Sequence, residues 1–232
     1  MPQNEIVLSV VIPIFNEEPT IGDVITRLKA TMRQIGLKYE LIVVDDCSAD
    51  RSLEISRNHS VRVYSLNQHM GKGYALRVGF AKAKGEIIAT IDSDGSHCPE
   101  ELPLLLAPIL RNQADFVIGS RFLNEKPVSA KKLNAIGVRL FDALIKFFTR
   151  TGVTDSQSGY RVMKAEIVNA LKLVSGGYEI ESEMLVKTAR RGFRVKEVPI
   201  SFEQRTYGRS RLDPMVDGFR ILLSIVTAYM KG

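Results

Sequence analysis

An α/β fold, built on a Rossmann-like and mostly parallel sheet flanked by helices, is what this sequence predicts, and three observations carry that expectation. Short apolar, β-branched runs alternate with amphipathic or helix-favouring stretches from residue 8 to residue 119. Two of the runs, Ile42-Val43-Val44 and Ile87-Ile88-Ala89, are continuously apolar, as strands covered on both faces are. Carboxylates stand just after several of the runs, where an open parallel sheet binds its ligands.

The elements follow in order. Strands are expected over 8–15, 40–46, 61–66, 86–92 and 115–119, with helices over 20–35, 49–58, 71–84 and 99–112 between them. Ser48 and Asp50 are the residue types that cap a helix, and they precede the second one. Gly71-Lys72-Gly73 opens the third, where a phosphate could face the helix start. The Gly-x₄-Gly-Lys-Ser/Thr spacing of a phosphate loop is absent, so an ATPase is not read. After Arg121 the pattern changes. Residues 131–150 form one long amphipathic helix with Leu133, Ile136, Leu140, Leu144, Ile145 and Phe148 on its apolar side. Turn residues crowd 152–159. Helices are expected over 165–174 and 179–191, the second closed by Gly192. An alternating strand over 193–202 contains Pro199, which marks an edge or a strand end. The last helix covers 213–230. This divides the chain into a main domain, 1–212, and a C-terminal amphipathic helix, 213–232.

Composition bounds the class. Of 232 residues, 45% are hydrophobic and 25% charged, ordinary globular values for a chain long enough to bury a core. Cys47 and Cys98 give neither a disulfide framework nor a metal-binding spacing. The first ten residues lack the layout of a signal peptide, and no apolar run approaches the roughly 20 residues of a membrane span. The chain is therefore expected in the cytoplasm, free or lying on a membrane. A net charge of +6 suits nucleic acid, phosphorylated small molecules or anionic lipid. Such basicity is also common without any such partner, so its placement matters more than its sum.

The strand ends concentrate the chemistry. Asp92-Ser93-Asp94 follows the fourth strand, and alternate side chains of an extended segment share one side. Those carboxylates could reach a hard divalent cation such as Mg²⁺ or Mn²⁺, which takes one or two protein carboxylates and completes its shell with phosphate and water. The plainer reading is an acidic turn capping the helix near Pro99. The neighbouring acidic strand ends favour the metal. Asp46 could accept hydrogen bonds from a base or ribose. Arg121 follows the fifth strand.

The segments VVIPIFNEE (10–18), IVVDDCSAD (42–50), NQHMGKGYALRVGF (67–80), DSDGSHCPEEL (92–102) and VIGSRF (117–122) together resemble family 2 glycosyltransferases of the GT-A fold. DSQSGYRVM (155–163), GYEIESEML (177–185) and RTYGRSRL (205–212) resemble the dolichyl- and polyprenyl-phosphate mannose synthase-like branch. The resemblance implies that Pro13, Phe15, Glu17, Val44 and Asp46 hold the nucleotide, and that Asp92, Ser93 and Asp94 bind donor and metal. It implies phosphate or acceptor contacts for Arg121, Lys131, Arg205 and Arg211, with Asp92, Asp94 and Arg121 as the catalytic set. Asp94 and Ser96 would meet the Mg²⁺ or Mn²⁺. Arg211 stands where the branch has Lys, Ser96 where it often has Gln, and Ala135 where it often has Ser.

The implied reaction is inverting transfer of a hexose from a nucleotide-diphosphate sugar to a polyprenyl or dolichyl phosphate. GDP-mannose is the first-choice donor, with UDP-glucose or UDP-GlcNAc next. A phosphomonoester is mostly ionised at neutral pH and needs no general base. It does need cations. Residues 187–211 carry eight Lys or Arg against two acids, and residues 131–150 carry five against one. The implied location is the cytoplasmic face of a membrane, peripherally bound, with interfacial C-terminal helices, a membrane-anchoring partner allowed for and no nucleic acid. Transfer to a sugar or protein hydroxyl is the alternative, with Glu181 or Glu183 as base. A non-catalytic module that binds a nucleotide or a membrane is the alternative of another class.

Overall fold

The computed structural model describes residues 6–123, 132–149, 151–203, 213 and 215–231, with backbone alone for 132–139 and 231. Its strands are β1 (Leu8–Ile14), β2 (Tyr39–Asp45), β3 (Arg62–Ser65), β4 (Ile87–Thr90), β5 (Phe116–Ser120), β6 (Arg161–Lys164) and β7 (Val195–Pro199). Its helices are α1 (Ile21–Ile35), α2 (Ser52–Asn58), α3 (Lys72–Lys82), α4 (Leu102–Leu110), α5 (Lys132–Thr149), α6 (Ala165–Leu171), α7 (Ile180–Arg190) and α8 (Val216–Lys231). A 3₁₀ turn, Pro99–Glu101, leads into α4.

The strands join in one seven-stranded sheet, ordered β3-β2-β1-β4-β6-β5-β7. All neighbours are parallel except β6, which runs antiparallel between β4 and β5. Every residue of β1 is buried, as a central strand covered on both faces requires. The period of two then sorts its side chains. Leu8, Val10, Ile12 and Ile14 join Ile21, Leu28, Leu102 and Leu105 in the core under α1 and α4. Val11 points the other way, into the core that α3 and the later helices share. That second core also receives Ile221, Ile225 and Ala228 of α8, so the last helix is packed into the body of the protein.

Several expectations meet this structure directly. β7 is an edge strand, and Pro199 is its last residue. Gly192 follows α7 at φ 76°, the left-handed conformation glycine adopts most readily. No described helix is long and apolar enough to cross a membrane.

Others are corrected. α2 starts at Ser52, and of the two expected caps only Asp50 meets it, its Oδ1 accepting the Ser52 N–H (2.9 Å). The Ser48 hydroxyl accepts the Asn16 N–H (2.9 Å), and Asp50 accepts the Glu18 N–H (3.1 Å), so both tie down the loop after β1. α6 ends at Leu171, stopped by Lys172 at φ 46°. β6 was not anticipated: a four-residue strand with a basic residue at each end carries no apolar period.

Candidate active site

A cleft of about 290 Å³ opens at the carboxyl ends of β1, β2 and β4. The end of β1 supplies Pro13, Phe15 and Glu17, and the end of β2 supplies Asp46. Asp92, Ser93 and Asp94 come from the end of β4, and Lys72 from the start of α3. Tyr178 reaches it from before α7, and Asp217 and Arg220 from α8.

Asp92 is the most constrained of these. Its Oδ1 lies 2.6 Å from the Lys72 Nζ, and its Oδ2 lies 3.6 Å from the His97 Nε2. Lys72 also reaches the Glu181 Oε1 at 2.8 Å. Burial is the largest single influence on Asp92 and opposes its ionisation, but the Lys72 charge and His97 together overcome it and hold the carboxyl well below the usual carboxylate range. Burial likewise opposes the charge on Lys72, and Asp92 and Glu181 raise it above the usual lysine range. Glu181 is 2% exposed, and its Oε2 has no hydrogen-bond partner among the described residues.

Two close approaches build this cluster. A Cβ on Gly159 would stand 2.5 Å from the Asp92 Oδ2, so the carboxylate occupies space that any other residue would fill. The start of α3 presses on the backbone at 175–177, where a Cβ on Gly71 (φ 94°) would meet the Gly176 carbonyl oxygen at 2.5 Å. Glycine there lets Lys72 enter the cleft.

The turn after β4 is locked from both sides. The Ser93 hydroxyl donates to the Pro13 carbonyl (2.9 Å), and the Thr20 hydroxyl donates to the Ser93 carbonyl (2.7 Å). Ser96 donates its N–H (3.0 Å) and its hydroxyl (2.6 Å) to the Asp94 Oδ1. It is 3% exposed and is not among the residues that line the cleft. In this structure Ser96 therefore orients Asp94 and does not face the cleft as a cation ligand itself.

The nucleotide-side candidates differ from one another. Asp46 accepts the Met70 N–H (2.7 Å) and the Gly71 N–H (2.8 Å), and the His69 Nδ1 stands 2.8 Å from its Oδ2. His69 stacks on Phe15 with ring centroids 4.0 Å apart. Asp46 thus clips the 69–71 loop against the cleft. Val44 has no exposed surface and packs against Ile42 and Ala75, so it shapes the floor without lining it.

Arg121 lies off the cleft wall. Its Nε and Nη2 fork onto both Asp155 oxygens at 2.7 Å each, a bidentate pair in a buried setting. Lys131, Arg205 and Arg211 lie outside the described residues. Of the two glutamates weighed as bases, Glu183 accepts the Ser175 N–H (2.8 Å) and pairs with Lys187 (2.6 Å), which makes it a brace for the loop before α7.

Arg161 carries no sign of its role in the residues around it. This side chain is fully buried and donates to three carbonyls: Ser158 (2.8 Å), Glu181 (2.6 Å) and Ser156 (2.6 Å). Burial pulls its pKa down to about 10 against the pull of Glu181, Asp155 and Asp92. It fastens the loop before β6 to the first turn of α7 and so fixes where Glu181 stands. Its place in DSQSGYRVM carried a resemblance but not this role. His69 was similarly visible only inside NQHMGKGY.

Residues 9–172 match the family model described as Glycosyl transferase family 2. The chain belongs to glycosyl transferase family 2. Within that family it is 32% identical over 213 residues to a dolichol-phosphate mannosyltransferase from Pyrococcus furiosus, covering 88% of this chain and 59% of that protein. It is 34% identical over 215 residues to the low-salt glycan biosynthesis hexosyltransferase Agl6 from Haloferax volcanii, covering 92% of this chain and 51% of that protein. The family 2 chain thus spans between half and three fifths of the length of these two relatives. A solved glucosyl-3-phosphoglycerate synthase from Mycobacterium tuberculosis superimposes with a TM-score of 0.79 at 24% identity, covering 97% of this chain and 80% of that one. That likeness carries the fold, which is GT-A.

Proposed function

We propose that this glycosyltransferase moves a hexose from a nucleotide-diphosphate sugar to a polyprenyl or dolichyl phosphate, with inversion, while bound peripherally to the cytoplasmic face of a membrane. The observation that carries the reading is the locked Asp92-Ser93-Asp94 turn, which faces the same cleft as Lys72 and the Phe15–His69 stack. The name of the P. furiosus relative supports the lipid phosphate acceptor. GDP-mannose is the first donor to test, then UDP-glucose and UDP-GlcNAc.

The residues present fit Mg²⁺ or Mn²⁺. Among the described residues no group of three or more His, Cys, Asp or Glu is placed to hold a metal ion alone. A carboxylate pair beside a diphosphate site is the arrangement in which such a cation arrives with its phosphates, with Asp94 as its protein anchor. When bound, it neutralises charge on the departing diphosphate.

The chain's own groups do the rest. Asp46, Phe15 and His69 place the nucleotide end of the donor. Ser96 keeps the Asp94 carboxylate turned to the cleft. The acceptor phosphate oxygen attacks the anomeric carbon as the bond to the diphosphate breaks, and the electron pair leaves with the diphosphate. No base is needed, in keeping with a Glu181 that is paired to Lys72. Outside the cleft, Phe147 of α5 and Phe219 and Met230 of α8 are 79%, 61% and 75% exposed, an apolar surface suited to a membrane.

The test is a donor screen against polyprenyl phosphate with Mg²⁺ or Mn²⁺, run on the wild type and on Asp94→Ala. Asp94→Ala is expected to lose metal-dependent transfer by at least about a hundredfold while its thermal unfolding stays cooperative. Normal turnover by that variant would place the site elsewhere. Transfer to a sugar or protein hydroxyl is the second reading, favoured by the buried, unpartnered Glu181 Oε2 as a proton acceptor. A preference for free sugars over polyprenyl phosphate would select it.

A further inference from the structure

α8 is the last element of the chain, yet two of its side chains, Asp217 and Arg220, line the cleft. Lys72 and Arg220 are the lysine and arginine of the described cleft wall. Lys72 is held between Asp92 and Glu181 at 2.6 and 2.8 Å. Arg220 is different: its side chain is 60% exposed, and its ion pair with the Asp217 Oδ1 is long, at 3.7 Å. Asp217 in turn accepts the Asp213 N–H through its Oδ2 (2.8 Å). Among the described residues, the cleft therefore offers one loosely held guanidinium at its α8 side.

Apart from Asp217, the exposed side chains around Arg220 on α8 are apolar. One face of α8 is buried through Ile221, Ile225 and Ala228. Val216, Phe219 and Leu223 point away from it and are 51%, 61% and 47% exposed. They stand four before, one before and three after Arg220. On a helix, residues three and four apart are neighbours, so the four side chains form one patch with the cation at its cleft edge.

We propose that Arg220 binds the phosphate of the lipid acceptor and that Val216, Phe219 and Leu223 receive the first part of its isoprenoid chain. This rests on the acceptor class proposed above. An isoprenoid phosphate carries its charge at the end of an apolar chain, which is the order in which α8 presents cation and apolar side chains. A nucleotide or a small soluble phosphate would leave the apolar patch in water. Glu17 and Asp94 face the same cleft, so a second anion entering beside the diphosphate needs a cation of its own. Arg220 supplies it with fork geometry suited to phosphate oxygens. α8 is then both the surface that meets the membrane and part of the acceptor site.

The experiment compares wild type, Arg220→Gln, Arg220→Lys and Phe219→Ser/Leu223→Ser by co-sedimentation with phosphatidylcholine vesicles. The vesicles are doped with polyprenyl phosphate, with polyprenol, or with phosphatidylglycerol. Wild type is expected to favour the polyprenyl phosphate vesicles. Arg220→Gln should lose that preference by about tenfold, the scale of one charge-assisted hydrogen bond, and Arg220→Lys should keep part of it. The double serine variant should bind polyprenol and polyprenyl phosphate vesicles more weakly by the same factor. In turnover, Arg220→Gln should raise the acceptor KM about tenfold and leave the donor KM in place. An Arg220→Gln variant that keeps the wild-type preference, or loses retention on phosphatidylglycerol to the same extent, overturns the proposal. Arg220-dependent retention by a wild type that transfers nothing to the lipid phosphate would uphold Arg220 as its ligand and defeat the reaction proposed above.

Discussion

Gly159 holds no functional group, yet its missing side chain decides where Asp92 can stand. With a Cβ there at 2.5 Å from the Asp92 Oδ2, Gly159→Ala must push the carboxylate away from Lys72. The expected result is a fall in kcat/KM of about a hundredfold, the cost of misplacing a reacting group by roughly 1 Å, together with a loss of stability of about 1–3 kcal/mol from the overfilled site. A steady-state assay beside a thermal melt checks it. Residues at this scale were unevenly legible. Asp92 and Asp94 could be found because two carboxylates end a buried strand. The roles of Ser96 and Arg121 could not be read, since nothing in the chain order says that one donates to Asp94 and the other forks onto Asp155. Arg161 was hidden more deeply. A buried arginine that satisfies three carbonyls has no apolar pattern around it to announce that it is inside.

Among the elements, the parallel strands were legible from their continuous apolar runs, and β7 from its alternation and its proline. β6 was not, because its partners make it a strand: Thr90 pairs with Arg161 on one side, and Phe116 with Met163 on the other. A polar cluster at its far end joins three strands. Asp115, just before β5, accepts from the Arg194 Nε (2.9 Å) and N–H (3.0 Å) and pairs with the Lys164 Nζ (2.8 Å). Arg194 leads this set in holding Asp115 below the usual carboxylate range, against the effect of burial. Asp115→Asn should therefore cost about 2 kcal/mol at neutral pH. The folded-state pKa is depressed, so the stabilisation is complete above the unfolded value of about 3.9 and is lost as pH falls through the folded value. Urea denaturation of wild type and variant from pH 7 downward should show the two curves converging below about pH 4. A gap that stays constant through that range would remove the ionic account.

For the whole molecule, the packing of α8 against the rest of the chain has an energetic measure. Ile221 and Ile225 are 2% and 0% exposed in the core that α5 and α7 share. Burying such a side chain contributes about 2 kcal/mol, so removing residues 213–232 should cost about 5 kcal/mol with the further apolar surface uncovered, against a typical total of about 5–15. The shortened protein is expected to unfold at much lower urea, with loss of cooperativity. An unchanged midpoint would show that α8 is dispensable to the fold. The overall class was the most legible feature of the sequence, because periodicity sums over many residues. The closing of the cleft by α8 was the least, because it joins ends of the chain about 200 residues apart, as Phe15 and Asp217 show.

The place of β6 in the sheet also dictates an order of assembly. β3, β2, β1 and β4 can pair as soon as they have emerged from the ribosome, since each finds its partner among the others. β5 cannot: its partners are β6 and β7, which are synthesised later. Until residue 164 is made, one edge of β4 is open and β5 has nothing to join. A nascent chain paused between residues 120 and 161 thus leaves β4 with one open edge and β5 with both, the form in which strands recruit one another between molecules.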